Sequence, residues 1–362
     1  MLRPAAIRDN AGEAWFPLTD NVQKLKSMTK LDNTRMPRAK DGLFGGLNRA
    51  RLRRWAPALV LVLVCALITL ANPNFIEPRN LIRIANSAAV PLTLAMGLTF
   101  IILMGSIDLS VEGSLSIAAM VTVLLATNDA NANSYGWLAV VAAIAASTAM
   151  GAFTGTIQTF LRIPSFMATL GIWFIGLGIS VYMLGGSAVR LMDPAIRDLA
   201  LARFLGFPLS VWIALAAFLL ACGIQYYSRL GRHILAIGGG EEVAELSGIN
   251  LRRVRIMAFA LAGFFFGVAG VLAAAQLGRS DAVIADGRLF AAVTAVVVGG
   301  TALTGGEGGV VNTLIGVLIV TILGNGMILL GVSPYVQQSV QGLLIIAAVA
   351  LSLDRLRLQI VK

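Results

Sequence analysis

The chain has 362 residues, of which 57% are hydrophobic and only 13% charged, and its formal net charge is +10. Soluble domains carry about 25% charged residues, so a water-soluble fold could not cover this much apolar surface, whereas a bilayer accepts it in helices of about 20 residues. The positive charge gathers at the chain ends and in one internal loop, which argues against nucleic-acid binding and fits the charge bias of membrane topology.

The 38 glycines fit the same class, because small residues let membrane helices approach closely. For most of them packing and turns are sufficient roles. Cys65 and Cys222 lie inside apolar runs, and no disulfide framework is indicated.

Residues 1–54 hold 12 Lys/Arg and 5 Asp/Glu with little periodicity. They lack the apolar core of a secretory signal. A largely disordered cytoplasmic arm is predicted here, ending in the basic cluster Arg49, Arg51, Arg53 and Arg54, with Met28 and Met36 as alternative starts. The cluster reads as a topology signal, with attraction to anionic lipid as the functional alternative.

Apolar runs then predict an all-α integral membrane protein, a polytopic bundle of about ten transmembrane helices with Gly-interrupted breaks. The predicted spans are 55–72, 84–104, 112–127, 137–161, 165–184, 208–227, 254–277, 289–304, 309–330 and 335–353. The third and eighth are short enough to be broken or tilted. With the N-terminus inside, 21 of the 28 Lys/Arg fall on inside segments. That agrees with the positive-inside rule and an even number of spans, both termini being cytoplasmic. The permease domain is therefore 55–353, with a cytoplasmic loop at 228–254 and a short cytoplasmic tail at 354–362.

Three segments stand out. Gly105 to Ser114 interrupts the second and third spans with two carboxylates, Asp108 and Glu112, four residues apart. Ionisable groups near lipid depth face an interior or a cavity, and broken helices serve transporters as binding or gating elements. Asp108 could equally cap the next helix. Asp108, Ser110 and Glu112 are thus candidates for the translocation path or its gate. Gly299 to Gly309 is a second glycine cluster, echoing the first at a constant offset (Gly105 with Gly299, Leu109 with Leu303, Ser110 with Thr304). Gly299, Gly300 and Asn325 join the path candidates. On this span count both clusters follow an outward-to-inward helix, so an inverted repeat would require a different count. The loop 228–254 predicts a short helix after Gly238, Gly239 and Gly240, with Glu241 and Glu242 in its first turn and Gly248 as its stop. Such a helix is a docking candidate, and an ordinary interhelical loop is the plainer reading.

Together these segments resemble the permease subunits of ribose/xylose-type ABC sugar importers. That family carries a G-x-D-L-S-V-G-S stretch, matched by Gly105 to Ser114. Its L-G-R loop is matched by Leu230 to Asn250, and its G-G-x-x-L-x-G-G-x-G stretch by Gly299 to Gly308. Pro164 to Gly171, Asn325-Gly326 and Leu330 to Ser333 match as well. The departures are Val243 and Gly240 in the loop, and Glu112 where a glycine commonly follows Val111.

The resemblance implies two permease copies forming the path, ABC ATPase subunits beneath them, and a periplasmic sugar-binding protein above. It makes Gly238, Gly239, Glu241, Glu242, Ala244 and Gly248 the residues that couple to the ATPase, and it implies a bacterial inner membrane. No Gly-Lys pair exists, hence no P-loop. ATP and Mg are therefore expected on a partner, with no cofactor in this chain, no metal-ligand spacing and no catalytic set. A neutral sugar needs hydroxyl partners, for which Asn86, Ser106, Gln158, Thr169 and Asn325 are available. Rival readings are a polyol, a nucleoside or a sugar-like signal as cargo, an ion-coupled secondary transporter with Asp108 and Glu112 as proton carriers, or a non-transporting scaffold.

Overall fold

The computed structural model describes residues 43–352. Most of the predicted 1–54 arm and the predicted tail 354–362 lie outside the described residues. Of the unit Met1–Arg53 the described part is a helix start. α1 covers Leu43–Ala71, so the helix begins about a dozen residues before the predicted first span and includes the basic cluster.

Within Arg54–Lys362 the order is a 3-10 turn at Pro73–Ile76, α2 (Pro78–Leu103), α3 (Val111–Leu125), α4 (Trp137–Leu161), α5 (Ser165–Met183), β1 (Val189–Arg190) and α6 (Pro194–Leu201). Then come β2 (Arg203–Phe204), β3 (Phe207–Pro208), α7 (Leu209–Tyr227), α8 (Arg229–Gly239), α9 (Glu241–Leu246) and α10 (Leu251–Leu277). β4 (Arg279–Ser280), α11 (Arg288–Val298), α12 (Val310–Leu329) and α13 (Pro334–Ser352) complete it. The strands form two short antiparallel pairs, β1 with β4 and β2 with β3.

Every predicted span coincides with a helix, but not every one of these helices is by itself long and apolar enough to cross a membrane. Six helices among the described residues are long and apolar enough to cross a membrane: α2, α4, α5, α7, α10 and α12. The apolar stretches Trp55–Ala71, Val111–Leu125 and Arg288–Val298 are shorter. The eighth predicted span, 289–304, extends beyond α11, because Ala302 and Leu303 continue its apolar character into what is loop. At 1.5 Å per residue the 11-residue α11 is about 16 Å long, roughly half a hydrocarbon core.

The core helices are α2 and α10. In α2, 83% of the most apolar stretch is buried and in α10 67%, against 28–33% in α4, α5 and α7. The last three turn apolar faces outward, with Phe160, Phe174 and Leu219 each more than half exposed, as lipid-facing helices do. Close packing between α4 and α10 follows from small residues one turn apart. Ser147 and Gly151 of α4 meet Gly263 and Gly267 of α10, and Gly155 meets Ile256 and Phe259, so tightly that a Cβ on Gly151 would collide with the Phe259 carbonyl. The Ser147 hydroxyl donates to the Gly263 carbonyl at 2.7 Å. Lipid offers little hydrophobic force between helices, so this backbone-level contact is what holds the pair.

One end of the bundle carries the turns around 104–110, 162–165, 228–250 and 299–309; it is called the loop end below. The opposite end carries 184–208 and 278–287, tied by the β1–β4 pair and by the Asn128–Leu191 bridge. Both glycine clusters lie at the loop end and touch one another, so their echo in sequence is not an inversion across the bundle.

Candidate coupling and translocation site

The three segments singled out by sequence meet at a junction built almost wholly of glycine backbone. α2 stops at Leu103, and Gly105 turns the chain with φ +76°, a conformation that costs side-chain-bearing residues about 1–2 kcal/mol. The carbonyl of Leu103, orphaned at the helix end, accepts from the Gly306 N–H at 2.9 Å. A Cβ on Gly305 would lie 2.7 Å from the Gly105 nitrogen and 3.0 Å from the Gly238 Cα. A Cβ on Gly238 would collide with the Leu103 carbonyl and lie 2.5 Å from the Gly306 nitrogen. Three chain segments approach this closely only without side chains. Gly239, next to it, has nothing within 4 Å of a Cβ position.

The predicted short helix does start after the three glycines, but Gly238 and Gly239 are not loop: they are the last two residues of α8. Gly240 separates α8 from α9, which runs Glu241–Leu246 as predicted. Its end is a Schellman closure. Gly248 has φ +82°, its N–H donates to the Glu245 carbonyl at 2.9 Å, and the Ile249 N–H donates to Ala244 at 3.1 Å. Ala244 is the one buried residue of α9; Glu242, Val243 and Leu246 are exposed, Leu246 at 89%. Glu241 pairs with Arg255 at 2.5 Å, anchoring α9 to α10.

Asp108 is buried. Its Oδ1 accepts from the Ser110 N–H at 2.8 Å and from the Ser110 hydroxyl at 2.6 Å. That braces the turn into α3, but both partners lie on Ser110 ahead of the helix, so Asp108 does not accept from the first-turn N–H groups as a cap would. The Ile107 N–H donates to the Ser165 hydroxyl at 3.1 Å, joining this loop to the start of α5.

Glu112 has a different task. It is only 4% exposed, and its Oε1 accepts from the Leu289 N–H at 3.1 Å. The cap residue of α11 is Gly287, which has no side chain to offer. The carboxylate of α3 therefore supplies the N-cap of α11 across the bundle, where the helix dipole also favours negative charge. α12 uses the same device. Its cap residue is Gly309, and the Gln225 side chain of α7 accepts from the Val310 N–H at 2.7 Å.

Gly299 packs α11 on α12, where a Cβ would collide with the Asn312 carbonyl, and Gly300 turns the chain with φ +99°. Asn325 lies apart from the junction, toward the opposite end. It exchanges two hydrogen bonds of 3.0 Å with Asn80 of α2. Asn86 is likewise committed, accepting from the Ser210 hydroxyl at 2.6 Å and from Gln276 at 3.2 Å. The Thr169 hydroxyl donates to the Phe166 carbonyl, and Gln158 Oε1 is buried without a partner. Sequence reasoning missed Gln225 and Asn80, because a polar residue in an apolar run shows no partner until the helices pack. Among the described residues no cluster of His, Cys, Asp and Glu could hold a metal ion.

A family described as "branched-chain amino acid transport system / permease component" matches residues 80–349. The ribose import permease protein RbsC of Escherichia coli K12 is 36% identical over 83% of this chain and 94% of its own length. The L-arabinose ABC transporter permease protein AraH of Azospirillum brasilense is 28% identical over 86% of this chain and 89% of its own. For the galactose/methyl galactoside import permease protein MglC of E. coli K12 the figures are 31%, 81% and 92%. No solved structure matches. The family match covers most of the chain and these relatives are matched along nearly their whole length, so the chain belongs to the branched-chain amino acid transport system / permease component family.

Proposed function

We propose that this chain is the membrane-spanning subunit of an ATP-driven importer of monosaccharides, working by alternating access. The observation that carries the reading is that Gly238, at the end of the helix leading into α9, lies against both glycine breaks at once. A displacement of the exposed α9 has no side-chain cushion to absorb it before it reaches Leu103–Gly105 and Gly305–Gly306.

In this mechanism an ABC ATPase, which binds ATP and Mg, seats α9 through Glu242, Val243 and Leu246. Closure of the ATPase pulls α8 and α9, and the glycine junction passes the motion to α2, α3 and α11. The loop end is then cytoplasmic, both termini are cytoplasmic, about ten helical segments are embedded in a bacterial inner membrane, and a periplasmic sugar-binding protein delivers cargo to the opposite end. A second permease copy, identical or closely related, completes the path. Relatives named for ribose, L-arabinose and galactose support a sugar as cargo.

The test is uptake of labelled sugars into proteoliposomes with and without the cognate ATPase and binding protein. Uptake requiring both the ATPase and hydrolysable ATP is expected. Uptake that follows an ion gradient without the ATPase would overturn the reading and return Asp108 and Glu112 to the role of proton carriers.

A further inference from the structure

A cavity of 590 Å³ opens at the end opposite α9, between the last residue of α10, the 279–288 segment, the first turns of α13 and Pro91 of α2. Its volume lies in the range of about 300–1,000 Å³ typical of small-molecule sites. Its chemistry is unusual for a chain this apolar. Two arginines, Arg279 and Arg288, and two aspartates, Asp281 and Asp286, line it, so the formal charge of the lining cancels. Arg279 is paired to Asp281 at 3.2 Å, and Arg288 Nε donates to the Ile284 carbonyl at 2.8 Å. A balanced set of this kind draws in neither anions nor cations, yet it offers fixed donors and acceptors.

The wall formed by α13 carries Gln337, Gln338 and Gln341. Gln337 spends its amide N–H on the Val332 carbonyl at 2.8 Å, which leaves its oxygen available. A carboxamide both donates and accepts, as a sugar hydroxyl does. Pro91 of α2 faces this wall across the cavity. The floor is Gly287 and Arg288 at the start of α11. That N-terminus is the one Glu112 caps, and the other end of α11, at Val298–Gly299, leads into the glycine junction.

We propose that this cavity is a subsite for a neutral, polyhydroxylated molecule of monosaccharide size, held by the carboxamides of α13 and the paired charges of the 279–288 segment. α11 is its movable floor. One helix about 16 Å long connects the floor to the junction, so a shift there tilts Arg288 relative to α13 and changes the grip on the cargo. The inference rests on the importer reading and adds the residues that would hold the cargo.

The experiment uses the reconstituted complex with its ATPase and binding protein, and D-ribose, L-arabinose and D-galactose as labelled probes. Gln341→Leu and Gln338→Leu are compared with the conservative Gln341→Asn. Uptake by the Leu variants is expected to fall about tenfold or more, as when a site built to bond hydroxyls loses a partner. The ratio of rates among the three sugars should change, ATP hydrolysis stimulated by the binding protein should persist, and Gln341→Asn should restore much of the loss. Gln338 is exposed, so its variant remains informative if Gln341→Leu does not insert. Unchanged rates and ratios in both Leu variants would overturn the subsite alone. Loss of stimulated hydrolysis in step with uptake would also overturn it, by making this wall a docking face for the binding protein. Absence of ATPase-dependent uptake of all three sugars by the unmodified complex would overturn the importer reading and the subsite with it.

Discussion

Gly238 and Gly239 give a controlled test of the junction. Both end α8, neither has a positive φ, and Ala at either position gains the same helix propensity of about 1 kcal/mol over Gly. They differ only in space. The Cβ of Gly238→Ala falls on the Leu103 carbonyl and the Gly306 nitrogen, both backbone atoms, while that of Gly239→Ala meets nothing within 4 Å. Overpacking costs about 1–3 kcal/mol, and losing the Gly306–Leu103 hydrogen bond adds about 1 kcal/mol. A penalty of about 2–4 kcal/mol on the packed state alone would shift a two-state equilibrium by about 30- to 700-fold, at tenfold per 1.4 kcal/mol. In proteoliposomes, Gly238→Ala should insert and retain the ATPase but lose most ATP-driven uptake, whereas Gly239→Ala should transport normally. Equal uptake by the two variants, whether both normal or both impaired, would refute the argument that backbone contact at Gly238 carries the coupling.

Glu112→Ala removes the cap of α11 and should lower thermal stability in detergent by about 0.5–2 kcal/mol. Glu112→Gln, which keeps an acceptor for the Leu289 N–H, should lose only the dipole contribution of about 0.3–1 kcal/mol; equal losses would refute the capping role. A double-mutant cycle of Asn80→Ala and Asn325→Ala should give a coupling energy near 0.6 kcal/mol, the average for polar pairs between membrane helices, and a value indistinguishable from zero would show that the pair is not formed. Leu246→Glu, on the exposed face of α9, should leave stability unchanged and abolish co-purification of the ATPase, and normal co-purification would remove α9 from the docking surface.

The class of the molecule was legible because it depends on composition and run length. Long apolar stretches must become helices in lipid, where every backbone group needs an internal partner, and each predicted span indeed holds a helix. The α9 helix and its stop at Gly248 were legible for a local reason: acidic first turn, glycine end. What local pattern could not give was where broken helices go. Ala302 and Leu303 continue the apolar run of the helix before them, yet the chain leaves α11 at Val298, because Gly299 and Gly300 turn it toward α12 and Gly306 reaches the end of α2. Likewise the sequence offered Asp108 and Glu112 as an equivalent pair of carboxylates four residues apart. Only the packing separates them: Asp108 folds back on Ser110, while Glu112 crosses to cap a helix nearly 180 residues away in the chain. Asn325, read as a path residue, is spent on Asn80 for the same reason. The amino-acid sequence by itself determined that this protein lives in a membrane and which stretches become helices, and it singled out three segments. The tertiary structure decided that those segments are one junction and which polar groups remain uncommitted, because partners far apart in the chain are chosen by helix packing, which local periodicity does not encode.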